Sequence, residues 1–264
     1  MKFVFLFVLI FCNYLLADNL KISLSSMKMD YVENDTDGKY LDSEASDYGS
    51  DILGLSLNYS KDLGVGIGGG DIDLVEISLD YFNGQSRYDG FLFSSTTGRI
   101  LSPYQTMTDT QILDAKVRLS EIKFGSLYDV KIFTSLGNRY WVRDSSSDKY
   151  GYKEIYNWAY LDIGMGVLFH DNNWDLGFEG AYQYALSPKM TAYLNGTMEF
   201  DLGTTSGYYF EVPLTYNIDK KYALELSYKY NYWHINRSNV VNGYVEPESK
   251  SKNEIIKIGF IIKW

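Results

Sequence analysis

With a single cysteine, Cys12, this 264-residue chain has no disulfide framework to hold a fold together. No internal run reaches the roughly 18 apolar residues that a spanning helix needs, which excludes a helical membrane protein. Positive charge is in deficit: the formal net charge is -10, an acidic balance that argues against nucleic-acid partners. Only His170 and His234 are available as imidazole bases. Pro-rich linkers, helical heptads and solenoid-length repeats are missing too, so the body of the chain reads as one domain.

What is present is alternation. From Tyr222 to Tyr232 the even positions are apolar or aromatic and the odd ones mostly polar, giving a strand with one greasy and one wet face. Ile256, Ile258, Phe260, Ile262 and Trp264 repeat the pattern. Earlier strand candidates show it as Leu53, Leu55, Leu57 and Tyr59; as Val75, Ile77, Leu79 and Tyr81; and as Leu161, Ile163, Met165, Val167 and Phe169. Similar sets recur at 113–119, 130–136, 174–182 and 208–218, each about the 9 to 11 residues that a tilted spanning strand requires. The first strand changes parity, because Leu20, Ile22 and Leu24 alternate on one phase and Met27, Met29 and Tyr31 on the other. A bulge at Ser25 and Ser26 is expected to restore the register.

Aromatics make up 17% of the chain, with 25 Tyr, and they cluster at strand ends as two interfacial girdles would. Residues 1–17 read as a Sec signal peptide, from Lys2 through the apolar run Phe3 to Phe11 to Leu15, Leu16 and Ala17, with cleavage expected before Asp18. Cys12 falls inside it, and Phe11 stands where lipidation would want a small residue. Long polar segments at about 34–51, 84–110, 143–157, 186–206 and 235–252 alternate with tight turns such as Asp171-Asn172-Asn173 and Asp219-Lys220-Lys221.

A full-length alternating strand that ends on an aromatic resembles the single-chain outer-membrane β-barrels of Gram-negative bacteria. The runs Arg237-Ser238-Asn239 and Glu246-Pro247-Glu248-Ser249 resemble the outer loops of uncharacterised porin-like members. The resemblance implies an all-β transmembrane antiparallel up-and-down barrel over residues 18–264. Ten strands are expected, with the Asn195-Gly196 hairpin extending above the membrane, and twelve is the alternative. It implies short turns in the periplasm, long loops outside, contact with outer-membrane lipid and lipopolysaccharide, and delivery by the barrel assembly machinery through the C-terminal strand.

The inward phase carries both signs: Glu76, Asp80, Asp114, Asp162, Glu179, Glu211 and Glu225 against Lys116, Arg118, Lys131, Arg139, Lys229, Lys257 and Lys263. In so narrow a lumen these should pair across it, leaving at most a narrow pore. A non-enzymatic barrel presenting its outer loops is therefore expected, with a porin-like channel or an outer-membrane lipid hydrolase or protease as alternatives.

No residue is assigned as catalytic, cofactor-binding or metal-binding. Gly64, Gly66 and Gly69 satisfy G-x-G-x-x-G, but a strand follows them where phosphate binding wants a helix. The stretch Trp233 to Asn239 faintly resembles the His-x-Ser-Asn signature of outer-membrane phospholipases, yet Asn236 stands two after His234, and Ser238 four after it. An omptin-type protease would want an Asp-His couple at the outer rim, where Trp233 precedes His234. Glu33, Asp35, Asp37, Gly38 and Glu44 take positions 1, 3, 5, 6 and 12 of an EF-hand-like calcium loop, offered as a candidate without flanking helices.

Overall fold

The computed structural model describes residues 18–264 apart from 36, 48–51, 64–71, 94–99, 124, 126 and 195. The expected signal segment and the glycine motif lie outside the described residues. Among the described residues twelve antiparallel strands form one sheet: β1 (Asn19–Asn34), β2 (Tyr40–Ala45), β3 (Ile52–Asp62), β4 (Leu74–Phe93), β5 (Ile100–Lys123), β6 (Tyr128–Asp144), β7 (Lys153–Asp171), β8 (Trp174–Ala192), β9 (Met198–Asp201), β10 (Thr205–Asn217), β11 (Tyr222–Ile235) and β12 (Glu248–Lys263). No helix among the described residues is long and apolar enough to cross a membrane, which says nothing of a chain that crosses with strands.

The count is the higher of the two expected, but the strands occupy ten positions around a closed ring. β2 and β3 both lie between β1 and β4, one above the other. β9 and β10 likewise share the edge of β8, so the segment after Met190 is a hairpin that climbs above the ring. β12 pairs with β1 from Asn19↔Lys263 to Asn34↔Glu248, which joins the two edges of the sheet. Around the ring each of the ten positions then has a neighbour on both sides; among the described residues only the raised ends, β9 on β8 and the start of β5 on β4, are paired on one side.

Local chemistry sets the turns. Asp219 Oδ1 accepts the backbone N–H groups of Lys221 (2.7 Å) and Tyr222 (2.8 Å), closing the β10–β11 turn from a side chain. Asn172 takes a φ of 51° in the two-residue β7–β8 turn, a conformation that asparagine tolerates. At the other end, β4 and β5 run 20 and 24 residues, about twice what a crossing needs, so the wall continues well past a bilayer. Much of what reads as long loop in the sequence, notably 84–93 and 100–110, is this raised strand.

Over the turn-end part of the long strands the outward phase is apolar; Ile163, for example, is 72% exposed and Leu226 51%. Tyr222 stacks on Phe260 at the turn end, and Tyr208 meets Tyr232 in a tilted contact at the loop end, ring centroids 5.7 and 5.1 Å apart. Those are the girdle positions.

The inward phase is built in layers. Nearest the turns, charges pair between non-adjacent strands as expected: Lys21–Glu225 and Lys257–Asp80 at 2.8 Å and Lys131–Glu179 at 2.9 Å, while Arg139–Asp114 at 3.2 Å joins neighbouring strands. Arg118 grips Glu179 with two nitrogens (2.7 and 2.9 Å), reaches Glu76 (3.4 Å) and lies 4.0 Å above the Phe133 ring. Above this sits an apolar layer that the parity count did not anticipate. Tyr31, Trp141, Tyr156, Trp158, Tyr160 and Trp233 are all at most 2% exposed and fill the lumen with rings in edge and stacked contact. A cavity of about 30 Å³, one water's share of liquid volume, lies between the two layers.

This layer explains the parity change in β1. The strand keeps unbroken register with both neighbours through Ser25 and Ser26, so the expected bulge is absent. Leu20, Ile22 and Leu24 face outward, while Met27, Met29 and Tyr31 face inward because the loop-end lumen is itself apolar.

Two substitutions test this arrangement. Leu226→Lys puts a charge on the outward mid-strand face and should cost about 2–4 kcal/mol in reversible folding into bilayers. Trp233→Ala leaves a hole in the ring layer and should cost about 3–5 kcal/mol in the same titration.

Candidate functional site

Above the ring layer the wall encloses a cleft of about 760 Å³, open at the loop end. Its floor is Arg143, on the inward phase of β6 one step above Trp141. The guanidinium donates to Glu44 from Nε (3.1 Å) and Nη2 (3.0 Å), and from Nη1 to Glu33 (3.0 Å), Glu154 (2.7 Å) and the Tyr156 hydroxyl (3.1 Å). It lies 4.2 Å over the Tyr31 ring, so the aromatic layer carries the cation from below.

Two further acids complete the lining. Asp42, opposite Glu33 in the β1–β2 ladder, accepts from the Tyr88 hydroxyl at 3.0 Å. Glu246 arrives from the β11–β12 connection and accepts from the Tyr156 hydroxyl. That connection is shaped by Asn242-Gly243, whose φ angles of 51° and 82° make a tight turn bridged by Val241 and Tyr244. Ser238 then pairs with Glu246: its backbone N–H donates to the Glu246 carbonyl (3.1 Å) and its Oγ accepts from the Glu246 backbone N–H (2.9 Å), which folds the acid back over the cleft.

Five carboxylates, Glu33, Asp42, Glu44, Glu154 and Glu246, thus share one arginine, the only basic residue lining the cleft among the described residues. Burial pushes Asp42 up to about 8, with Glu33 adding repulsion and Arg143 opposing. Burial likewise raises Glu154 to about 7, against the pull of Arg143. Glu246 is held well above the usual range by burial and by Glu154.

The calcium-loop candidate does not assemble. Glu33 and Glu44 turn inward onto Arg143, whereas Asp35 caps its own turn by accepting from Asp37 N and Lys39 N, both at 2.8 Å. Gly38 takes the expected turn conformation, φ 76°, and Asp37 stays at the exposed tip. Strand parity decides this: Glu33 belongs to the inward phase of β1, and Asp35 to the turn beyond it.

The hydrolase candidates also separate. His234 lies on the outward phase of β11 and meets Glu248 at 2.9 Å, while Ser238 lies past the end of the strand and bonds to Glu246. His170 sits at the turn end between Asp175 (2.7 Å) and Asp129 (2.9 Å), which raise its pKa. The sequence reading missed the cleft. Its available signals were the inward-phase aromatics at 156–160 and the Asn242-Gly243 turn.

No family model matches this sequence, and no curated protein matches it. Among solved structures, the chain is similar to the outer membrane protease OmpT from Escherichia coli at 12% identity, with a TM-score of 0.52 over 93% of this chain and 96% of that one. The two share a fold. An outer membrane channel from Pseudomonas putida F1 aligns at 11% identity over 95% of this chain and 97% of its own, but at 0.44 it carries no argument. Both are outer-membrane β-barrel proteins, and the all-β antiparallel ring is what the chain has in common with the first of them.

Because Asp42, Glu154 and Glu246 hold protons in the folded cleft that they lose near pH 4 when unfolded, their contribution to stability is greatest below that point. It declines as pH rises through about 7 to 8. Amide exchange over residues 238–247 should therefore quicken as pH rises from about 4 to 8, after correction for intrinsic rates. Glu246→Gln should flatten that dependence.

Proposed function

We propose that this chain is an integral outer-membrane barrel with a sealed lumen, non-enzymatic, that acts through its outer end. The observation that carries the reading is the double plug: an ion-paired charged layer topped by a layer of fully buried Trp and Tyr rings. Solute passage would have to break both. The apolar outward belt, its aromatic ends and the closed ring suit a bilayer, and the short turns suit the periplasmic side. On this reading residues 1–17 direct export, β12 presents the chain to the assembly machinery, and the outward aromatics near the loops meet lipopolysaccharide. The outward His234 and the displaced Ser238 support a non-enzymatic role. What remains open to the outside is the cleft over Arg143.

Planar-bilayer recording of the purified barrel tests the seal. Silence across the physiological voltage range is expected. Steady single-channel openings would replace the reading with a channel.

A further inference from the structure

We propose that the loop-end cleft binds a small organic polycation, a flexible chain of protonated amines of the polyamine class. The proposal rests on the sealed-barrel reading in one respect, that the ligand reaches the cleft only from outside. Charge points first to a cation: five carboxylates face one guanidinium, and no lysine lines the space among the described residues. A second feature is independent of those acids. Thr108, 2% exposed, lines the cleft, and its Oγ1 has no hydrogen-bond partner among the described residues. The buried Oδ1 of Asp42 is likewise unpartnered. Both oxygens can accept from an N–H donor once Asp42 gives up its proton.

The cavity is of small-molecule size, far larger than a bare metal ion requires. No group of three or more acidic, histidine or cysteine side chains among the described residues is disposed to hold a metal. Instead one wall is a run of rings, Tyr88 to Tyr104 to Tyr150, with centroids 5.9 and 6.1 Å apart. Tyr150 already accepts an ammonium, since Lys149 Nζ stands 4.9 Å over its ring. Acids gathered at the floor beside a wall of rings suit an extended chain of amines that can reach both, not a single ion.

Protons compete for the same acids. Asp42 is faced by Glu33, Arg143, Glu154 and Tyr88, and Glu246 by Glu33, Glu154, Arg143 and Tyr156. A bound amine would displace protons from both, so affinity should rise with pH while the amines stay charged.

Isothermal titration of the full-length barrel in detergent with spermidine tests this. A saturable isotherm is expected, tighter at pH 8 than at pH 6. Asp42→Asn and Glu246→Gln should each weaken it by about tenfold, the scale of one charge-assisted contact. Thr108→Val, an uncharged change, should weaken it severalfold, and Asp37→Asn at the loop tip should leave it unchanged. Heat-modifiable gel mobility confirms that each variant is folded. No saturable binding at millimolar spermidine would overturn the proposal, as would an equal loss in Asp37→Asn, which means diffuse attraction. Binding of tri-lysine without spermidine would overturn it in favour of a basic peptide. Steady bilayer conductance would overturn the sealed reading alone, and absent binding across a silent bilayer the polycation alone.

Discussion

Backbone hydrogen bonding inside hydrocarbon is the constraint from which the rest of this structure follows. Water is not there to satisfy an N–H or C=O group, so a sheet that crosses must have no edge. The pairing of β12 with β1 supplies that closure, and it holds for the whole length of both strands. Once the ring is shut, each strand has one face toward lipid and one toward a lumen only ten positions around. The alternation of the sequence is the direct imprint of that division.

A lumen this narrow has to be filled, and it is filled by two chemistries in series. Ion pairs at the turn end place each buried charge beside its opposite, often with a hydrogen-bonded tyrosine in attendance, as Tyr209 attends Arg118 and Glu179. Without such partners the desolvation of so many charges would be prohibitive. The aromatic layer excludes water from the space above and forms a dry platform under Arg143. In that setting the guanidinium draws in three acids, and two more complete a strongly acidic mouth. The seal and the cleft are therefore one construction, because the rings that close the lumen also hold up the arginine.

The fold was legible because period-two patterning is local and survives in every long strand, from Leu53–Tyr59 to Ile256–Trp264. Cross-lumen pairing was legible in kind, since equal numbers of buried opposite charges have few alternatives. Partners such as Lys21 with Glu225 were not, because register around a ring depends on every intervening strand. The β1 parity change was visible but misassigned. A rule that lumens are polar makes Met27, Met29 and Tyr31 look displaced, whereas the lumen at that height is apolar. Glu33 and Glu44 drew notice for their spacing along the chain, yet what joins them is a shared facing toward Arg143. Glu246 drew none, because only the fold-back of its loop brings it to the same place.

The seam has a consequence for how the molecule comes into being. Its contacts join the first and last strands of the ring, the widest sequence separation that the fold contains, as in Asn19 with Lys263. Loop-closure entropy is heaviest for such a contact, and no earlier hairpin can stand in for it. Emerging hairpins are open sheets with bare edges and greasy faces, prone to pair with other chains. Closure of the ring accordingly has to follow the hairpins that it joins, and until the seam forms those two edges are bare.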